Sequence, residues 1–482
     1  MQEKIRKTQK MNMENFLWHG LPVLAFILWG ILCLGDSLWY DEAFSAGLVM
    51  QPWRKLIYIT AIDDHSPFYY VLLKLFYHLT GGGTHFFKLK LFSLIFMMGY
   101  MLLGKFYVKK LFGKSVSVWF MIFSLLSPIM SVQAGNVRMY ALALFFLTLT
   151  GLLAYDLYLE ENRRKWLLFT GATICVVYCH SFAVIQAVWF YLLFGAVLVA
   201  KKRFQTVRRF LMAGIVVSVA FLPWLLVTLR QIKLRMLYDT GSTESLAGLK
   251  EIVDYVREWF SSIEAPRDMV AIVGLLLCLF LIVEAYFWMK EKKCYAPCIG
   301  GLAFLLTVLT GFIISATVNN CFLGRYAFPG FGFLMLLCAV GMEQIRGSRG
   351  FVLAVAVICF ALQYQSEVRL EYDGGLKEYE RFREQYFTEG DILIAPEEHA
   401  IFLSVYHPEE TYYLYGYVAP DLSFPNLKEC YDLGALTRAS NRVFYICFEG
   451  DAPEDVESGL HYEQVYSFRM NYYDFVIYKM ID

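Results

Sequence analysis

Eleven apolar runs, each near the length that a bilayer core demands, divide the first 365 residues of this 482-residue chain. They fall at Phe16–Leu34 and near 89–107, 115–132, 138–158, 166–180, 181–200, 209–229, 269–289, 296–316, 326–344 and 349–365. A run of this kind crosses lipid as a helix, because only a helix satisfies its own backbone polar groups within one segment. Composition agrees: 58% of the residues are hydrophobic and 18% charged, where soluble chains carry about 45–50% and about 25%. The first run follows Lys4, Arg6, Lys7 and Lys10 but precedes no small-residue cleavage site, so it reads as a retained span rather than a signal peptide.

The direction of the spans depends on residues 67–80, PFYYVLLKLFYHLT. This segment is short for a span and carries Lys74 and His78, which favours a helix lying at the interface. With 67–80 placed there, six basic clusters fall on one side: Lys4–Lys10, Lys105–Lys110, Arg163–Lys165, Lys201–Arg209, Lys290–Lys293 and Arg346–Arg349. The positive-inside rule makes that side cytoplasmic. Residues 36–88, 132–138, the turn near 180, 230–268, 317–326 and the tail from 366 are then outside. Residues 1–365 are expected to form a transmembrane domain with an outer-face loop at 36–88, and residues 366–482 a soluble extracytoplasmic domain.

The overall net charge of zero excludes a strongly basic nucleic-acid binder. It conceals a net −14 over residues 366–482 and +14 over the rest. The acidic tail reads as a small α/β domain. Strands are expected at 390–395, 410–418 and 442–450, a short helix at 397–406, and a closing hairpin around Met470–Tyr473. The eleven cysteines form no framework, most lying inside apolar runs as small hydrophobes. Cys321, Cys430 and Cys447 alone are expected to meet an oxidising compartment, and a Cys430–Cys447 disulfide is one option.

Polar residues of unusual type gather in the outside segments. Leu38-Trp39-Tyr40-Asp41-Glu42-Ala43 places two acids where the first span ends, as a helix start would or as a carboxylate poised to take a proton. Asp63-Asp64-His65-Ser66-Pro67-Phe68-Tyr69-Tyr70 brings three titratable groups to the start of the interfacial helix, where capping explains only part of them. Asn136-Val137-Arg138-Met139-Tyr140-Ala141 and Arg325-Tyr326-Ala327-Phe328-Pro329 each open a span with an arginine, which either snorkels and anchors or holds an anion. His180 occupies the turn within 166–200, where packing and chemistry are equally good readings.

In their order and common side these motifs resemble the GT-C glycosyltransferases that use lipid-phosphate sugars, the broad group of protein O-mannosyltransferases and aminoarabinose transferases, and within it a bacterial mannosyltransferase-like branch. The likeness spans roughly residues 16–345. Relatives show a D-E pair after the first helix, H-P-P-L-Y-Y, an acid-R-x-Y-A segment, a later His and R-Y-x-x-P. Here Ser66 replaces the first proline of the pair, and Asn136 stands where many relatives carry an acid. The resemblance implies a polytopic α-helical membrane protein of GT-C type, with about 11 transmembrane helices and a small extracytoplasmic α/β domain. The bacterial plasma membrane is the implied location, with the active site outside.

It implies transfer of a hexosyl or pentosyl group from a polyprenyl-phosphate-linked sugar donor to a hydroxyl of a glycan, lipid or protein acceptor, with inversion. Asp41 would be the base, with Glu42 supporting it. Arg138 and Arg325 would meet the phosphate, with Lys74 as a further cation, and Asp64 and His65 would orient donor or acceptor. Asp63, Tyr69, Tyr140, His180 and Tyr326 complete the expected substrate-binding set. No cofactor is certain, and the asparagine at 136 leaves a divalent metal open. Three competing classes are weaker. A transporter or flippase would place polar groups near the midplane, often in repeated halves. A polymerase or ligase of lipid-linked glycans would use a pyrophosphate donor, and a scaffold would only display the tail.

Overall fold

The computed structural model describes residues 2–35, 37–63, 65–238, 248–261, 267–318, 321–345, 347–388, 390–396, 403–415, 424, 426–430, 442–450, 461–470 and 473–481. Two compact units emerge: residues 1–33, 63–69 and 91–367, and residues 34–62, 70–90 and 368–482. The last of these boundaries falls at 367/368. The second unit also takes in most of the expected outer-face loop.

The helices run, in chain order, α1 (Gln2–Cys33), α2 (Tyr40–Met50), α3 (Trp53–Ile62), α4 (Pro67–Leu79), α5 (Phe87–Leu102), α6 (Lys109–Phe112), α7 (Lys114–Leu126), α8 (Pro128–Gly135), α9 (Tyr140–Leu159), α10 (Arg163–Val177), α11 (Ser181–Ala200) and α12 (Phe204–Tyr238). They continue as α13 (Leu249–Phe260), α14 (Arg267–Lys292), α15 (Ala296–Thr317), α16 (Phe331–Gln344), α17 (Arg349–Glu371) and α18 (Gly375–Tyr386). A π-helical stretch, Leu103–Val108, joins α5 to α6, and a 3₁₀ segment, Gly324–Gly330, leads into α16.

Among the described residues nine helices are long and apolar enough to cross a membrane, and the bent pair α7–α8, which turns by 70° at Ser127, raises the number to ten. The expected eleventh, at 166–180, is α10. Its 15 residues span about 22 Å, short of a hydrocarbon core of about 30 Å. Even so, it carries the chain back along α9. The rings of Tyr140 and His180 lie 5.7 Å apart, so α9 and α11 start at the same end, and α10 must return from the far end of the 20-residue α9. Local signals mark both ends of this return. Asn162 Oδ1 accepts the Lys165 N–H at 2.8 Å to start α10, and His180 Nδ1 accepts the Phe182 N–H at 3.2 Å to start α11. The expected interfacial helix is α4, 13 residues long, and α2 and α3 are shorter still.

The second unit holds a six-stranded sheet of β1 (Ile392–Ala395), β2 (Tyr412–Tyr415), β3 (Leu427–Cys430), β4 (Val443–Phe448), β5 (His461–Met470) and β6 (Tyr473–Ile481), in the order β3-β2-β1-β4-β6-β5. The first four strands pair in parallel, and the β5–β6 hairpin adds antiparallel to β4. Strands expected at 390–395 and 442–450 and the closing hairpin are present. Of the 410–418 strand, 412–415 is observed and 416–418 lies outside the described residues, as do residues 397–402 of the expected helix. α18 and β3 were not foreseen. Gly375 opens α18 against the backbone of the hairpin, where a Cβ would clash with the Arg469 carbonyl oxygen.

The Cys430–Cys447 option is corrected. Neither cysteine is in a disulfide, both are buried, and β1 and β2 lie between their strands. Three strand spacings of about 4.8 Å put them about 14 Å apart, twice the reach of a disulfide. Residues 34–62 and 70–90 join this unit by long-range contacts. The Leu38 N–H donates to the Tyr406 hydroxyl at 2.8 Å, the Phe86 ring meets that of Tyr406 at 5.3 Å, Phe44 meets Phe424 at 6.2 Å, and Lys90 pairs with Glu371.

Candidate active site

The first unit gathers seven of the expected residues, Asp63, His65, Arg138, Tyr140, His180, Arg325 and Tyr326, at one end of its helices. His65, just before α4, lies between Asp63 and Arg138. Its Nδ1 is 2.5 Å from Asp63 Oδ2, and Arg138 Nη2 donates to its Nε2. The imidazole thus links an acid to a buried arginine. Gln231, late in α12, donates to the Asp63 carbonyl and ties this link to a second helix.

Arg138 is held by the short link between α8 and α9, where its N–H donates to the Asn136 carbonyl at 2.8 Å. Asn136 itself is buried, its amide donating to Gln133 Oε1 at 2.9 Å. One step along, the Tyr140, His180 and Tyr326 rings cluster: Tyr326 lies 4.9 Å from His180 and 6.5 Å from Tyr140, and stacks on Phe182 at 5.4 Å. The Arg325 guanidinium sits 5.8 Å from the centre of the Tyr326 ring.

Electrostatics follow from this packing. Burial first, then the neighbouring His65, Arg138 and Arg325, push the His180 pKa down to about 3. A neutral His180 is consistent with its Nδ1 accepting the α11 cap bond. Because the unfolded imidazole titrates near 6.5, the unfolded chain binds more protons below that pH. This contribution to stability is complete above about pH 6.5 and falls as pH drops. At pH 5 about 2 kcal/mol should be lost. His180→Asn keeps a capping acceptor and removes the proton site, so its unfolding temperature should fall less between pH 7 and pH 5 than that of the wild type. Equal losses would show that His180 does not titrate as described.

A further acid, Glu258 on α13, is one that sequence reasoning missed. Burial raises its carboxyl pKa, opposed by Arg325, by the N–H groups of Arg325 and Gly324, and by Arg267. The adjacent Trp259 donates to the Gly324 carbonyl at 2.7 Å, so α13 positions the start of the 3₁₀ segment that carries Arg325 and Tyr326. The available signal was the amphipathic pattern of LKEIVDYVREWF within the 230–268 segment.

The remaining expected residues are placed as follows. Tyr69 is fully buried with its ring 5.7 Å from Phe92, as a core residue is. Asp64 lies outside the described residues. In the second unit, Glu42 is buried and accepts the Trp39 N–H at 3.1 Å, closing the start of α2. Asp41, half-buried, occupies the same first turn, and its carbonyl accepts from the Ser45 hydroxyl at 2.9 Å. Lys74 is also buried. Its ammonium donates to the Val49 carbonyl at 2.7 Å and the Gln51 carbonyl at 2.5 Å, and lies 5.1 Å from the centre of the Trp53 ring. Burial lowers its pKa. Those bonds make Lys74 the tie that closes the end of α2.

Among the described residues, the group best arranged to ligate a metal is His407, Glu409 and Glu410 in the second unit. Arg383 enters this group, donating to His407 Nε2 at 3.0 Å and pairing with Glu410. A guanidinium already neutralises the acids there, so the donor set does not fit a divalent cation.

The fold is shared with ArnT. The structure of ArnT from Cupriavidus metallidurans bound to undecaprenyl phosphate matches with a TM-score of 0.64 at 12% identity, covering 96% of this chain and 98% of that one. The apo structure of the same protein matches with a TM-score of 0.62 at 11% identity, over 95% and 97%. The oligosaccharyltransferase of Archaeoglobus fulgidus, in complex with zinc and sulfate, gives a TM-score of 0.43 at 12% identity, over 80% and 61%. Neither a protein-family model nor a curated protein sequence matches the chain. The expected architecture, a polytopic helical body with a small C-terminal sheet domain, is therefore the observed one, and its fold is that of ArnT.

Proposed function

We propose that this protein is a membrane glycosyltransferase that moves a sugar from a polyprenyl monophosphate carrier to an acceptor hydroxyl, with inversion at the anomeric carbon. The observation that carries this reading is the gathering of two arginines, Arg138 and Arg325, around the buried Tyr140–His180–Tyr326 ring cluster. Such a pair suits an anion that gains charge as a bond breaks, as a departing phosphate does. The ArnT fold supports the same reading, since one ArnT structure holds undecaprenyl phosphate. The motif order supports placement near the mannosyltransferase-like branch.

In this reaction the acceptor oxygen attacks the anomeric carbon while the bond from that carbon to the phosphate oxygen breaks. The acceptor proton passes to the Asp41 carboxylate. The electron pair of the broken bond stays with the polyprenyl phosphate, stabilised by Arg138 and Arg325. His65, held by Asp63, fixes the Arg138 guanidinium. The lipid carries the activated sugar, so no nucleotide is consumed. The six basic clusters support a cytoplasmic location for their side of the membrane and an extracytoplasmic one for this pocket and the tail.

Purified protein in liposomes, given polyprenyl-phosphate sugars and a panel of hydroxyl acceptors, should release polyprenyl phosphate in step with glycosylated acceptor. Consumption of nucleotide sugars or of pyrophosphate-linked donors instead would replace this reading. For orientation, Glu463→Cys on the exposed face of β5 should react with an impermeant thiol reagent on intact cells. The native cysteines are buried or half-buried and give little background. Labelling only after lysis would place the tail inside.

A further inference from the structure

The end of the first unit remote from Tyr140 and His180 carries a second feature. α9 runs about 30 Å from Tyr140 to Leu159, and beyond it a groove of about 800 Å³ opens between α10 and α12. Its rim is cationic, with Arg163, Arg208 and Arg209, and Trp166 stands beside them. Its wall is apolar and open to the surroundings: Leu167 is 66% and Met212 56% exposed. α12 belongs to the candidate span Phe204–Lys233, so this wall faces the hydrocarbon of a bilayer and the rim meets the headgroup layer.

The rim is organised. Glu161 accepts from Arg209 at 2.5 Å and from the Trp166 indole at 3.3 Å, and Thr206 donates to it as well. This network fixes one arginine and the tryptophan and joins the two helix starts. Arg163 and Arg208 are exposed and have no ion-pair partner among the described residues. Simple snorkelling would explain single arginines at a helix end. It does not explain two unpaired guanidinium groups on different helices lining one groove with an apolar floor.

We propose that this groove binds an anionic phospholipid, its phosphate against Arg163 and Arg208 and an acyl chain along Leu167 and Met212. A guanidinium matches a phosphate with two parallel hydrogen bonds. Basic pockets between spanning helices are built to hold such headgroups. A soluble phosphate would use the arginines but gain nothing from the wall, so the apolar floor selects the lipid.

The full-length protein, purified in detergent, would be titrated with phosphatidylglycerol and with phosphatidylcholine, and bound lipid counted by native mass spectrometry. Phosphatidylglycerol should bind preferentially. At about fivefold for each arginine near the surface, Arg163→Ala/Arg208→Ala should weaken its binding about 25-fold. Leu167→Ser should weaken it several-fold with the arginines intact. Lys290→Ala/Lys292→Ala, which removes charge from another basic cluster, should leave it unchanged. An equal loss in that control would reduce the effect to general surface charge and overturn the site. Full displacement by millimolar inorganic phosphate, or no loss in the double arginine variant, would overturn it too.

Discussion

Replacing Asp41 with asparagine should cut turnover by about 10²–10⁴-fold, the range expected when a positioned general base is removed, while donor binding and folding survive. The choice of Asp41 over its neighbour comes from what the first turn of α2 requires. An acid there can simply close the helix start, and Glu42 already does so by accepting the Trp39 N–H. Successive helical residues point about 100° apart, so the adjacent carboxylate serves a different direction. Glu42→Gln keeps an acceptor for the Trp39 N–H and should lower activity only mildly, within about tenfold. Turnover would be read on purified variants with a polyprenyl-phosphate sugar and a supplied acceptor, alongside donor binding. If Asp41→Asn turns over normally and Glu42→Gln is dead, the roles are exchanged. If both turn over normally, neither carboxylate is the base.

The division of labour between Asp41 and Glu42 also shows what could be read from sequence and what could not. Period and length marked the spans, and the order of Arg138, His180 and Tyr326 along the chain was enough to expect them on one face. Their ring contacts place them together. Lys74 was legible only as a cation near the interface. Its actual task, holding two carbonyls at the end of α2, depends on contacts 25 and 23 positions away in the chain that no local pattern announces. Glu258 was hidden for a similar reason. Its importance comes from Arg325, 67 positions away, and a single acid on an amphipathic helix carries no mark of a distant partner. That segments 34–62 and 81–90 belong with the tail was not legible, because their contacts to Tyr406, Phe424 and Glu371 span hundreds of residues. Long-range packing of this kind leaves no periodicity for a sequence to display. The cysteine pair erred in the opposite sense: two thiols in the tail invited a bond that the strand order forbids.

Loss of the Arg138 side chain should cost about 10²–10³-fold in turnover, the effect expected when a donor to a developing oxyanion is removed from a dry site. Arg138 is buried, receives its orientation from His65, and contributes to the field that keeps His180 neutral. Arg138→Lys keeps the charge but loses the planar fork, so it should recover only part of the activity. The intermediate result separates phosphate recognition from bulk charge. An independent readout follows from the same field. Removing Arg138 takes away one of the charges that depress His180, so the His180 pKa should rise from about 3 towards its usual value in Arg138→Ala. Binding of a polyprenyl phosphate to the wild type should move it the same way. Both shifts can be followed by NMR on histidine-labelled protein in nanodiscs. A His180 pKa that ignores both the mutation and the lipid phosphate, together with near-normal turnover of Arg138→Ala, would show that this arginine only anchors the start of α9.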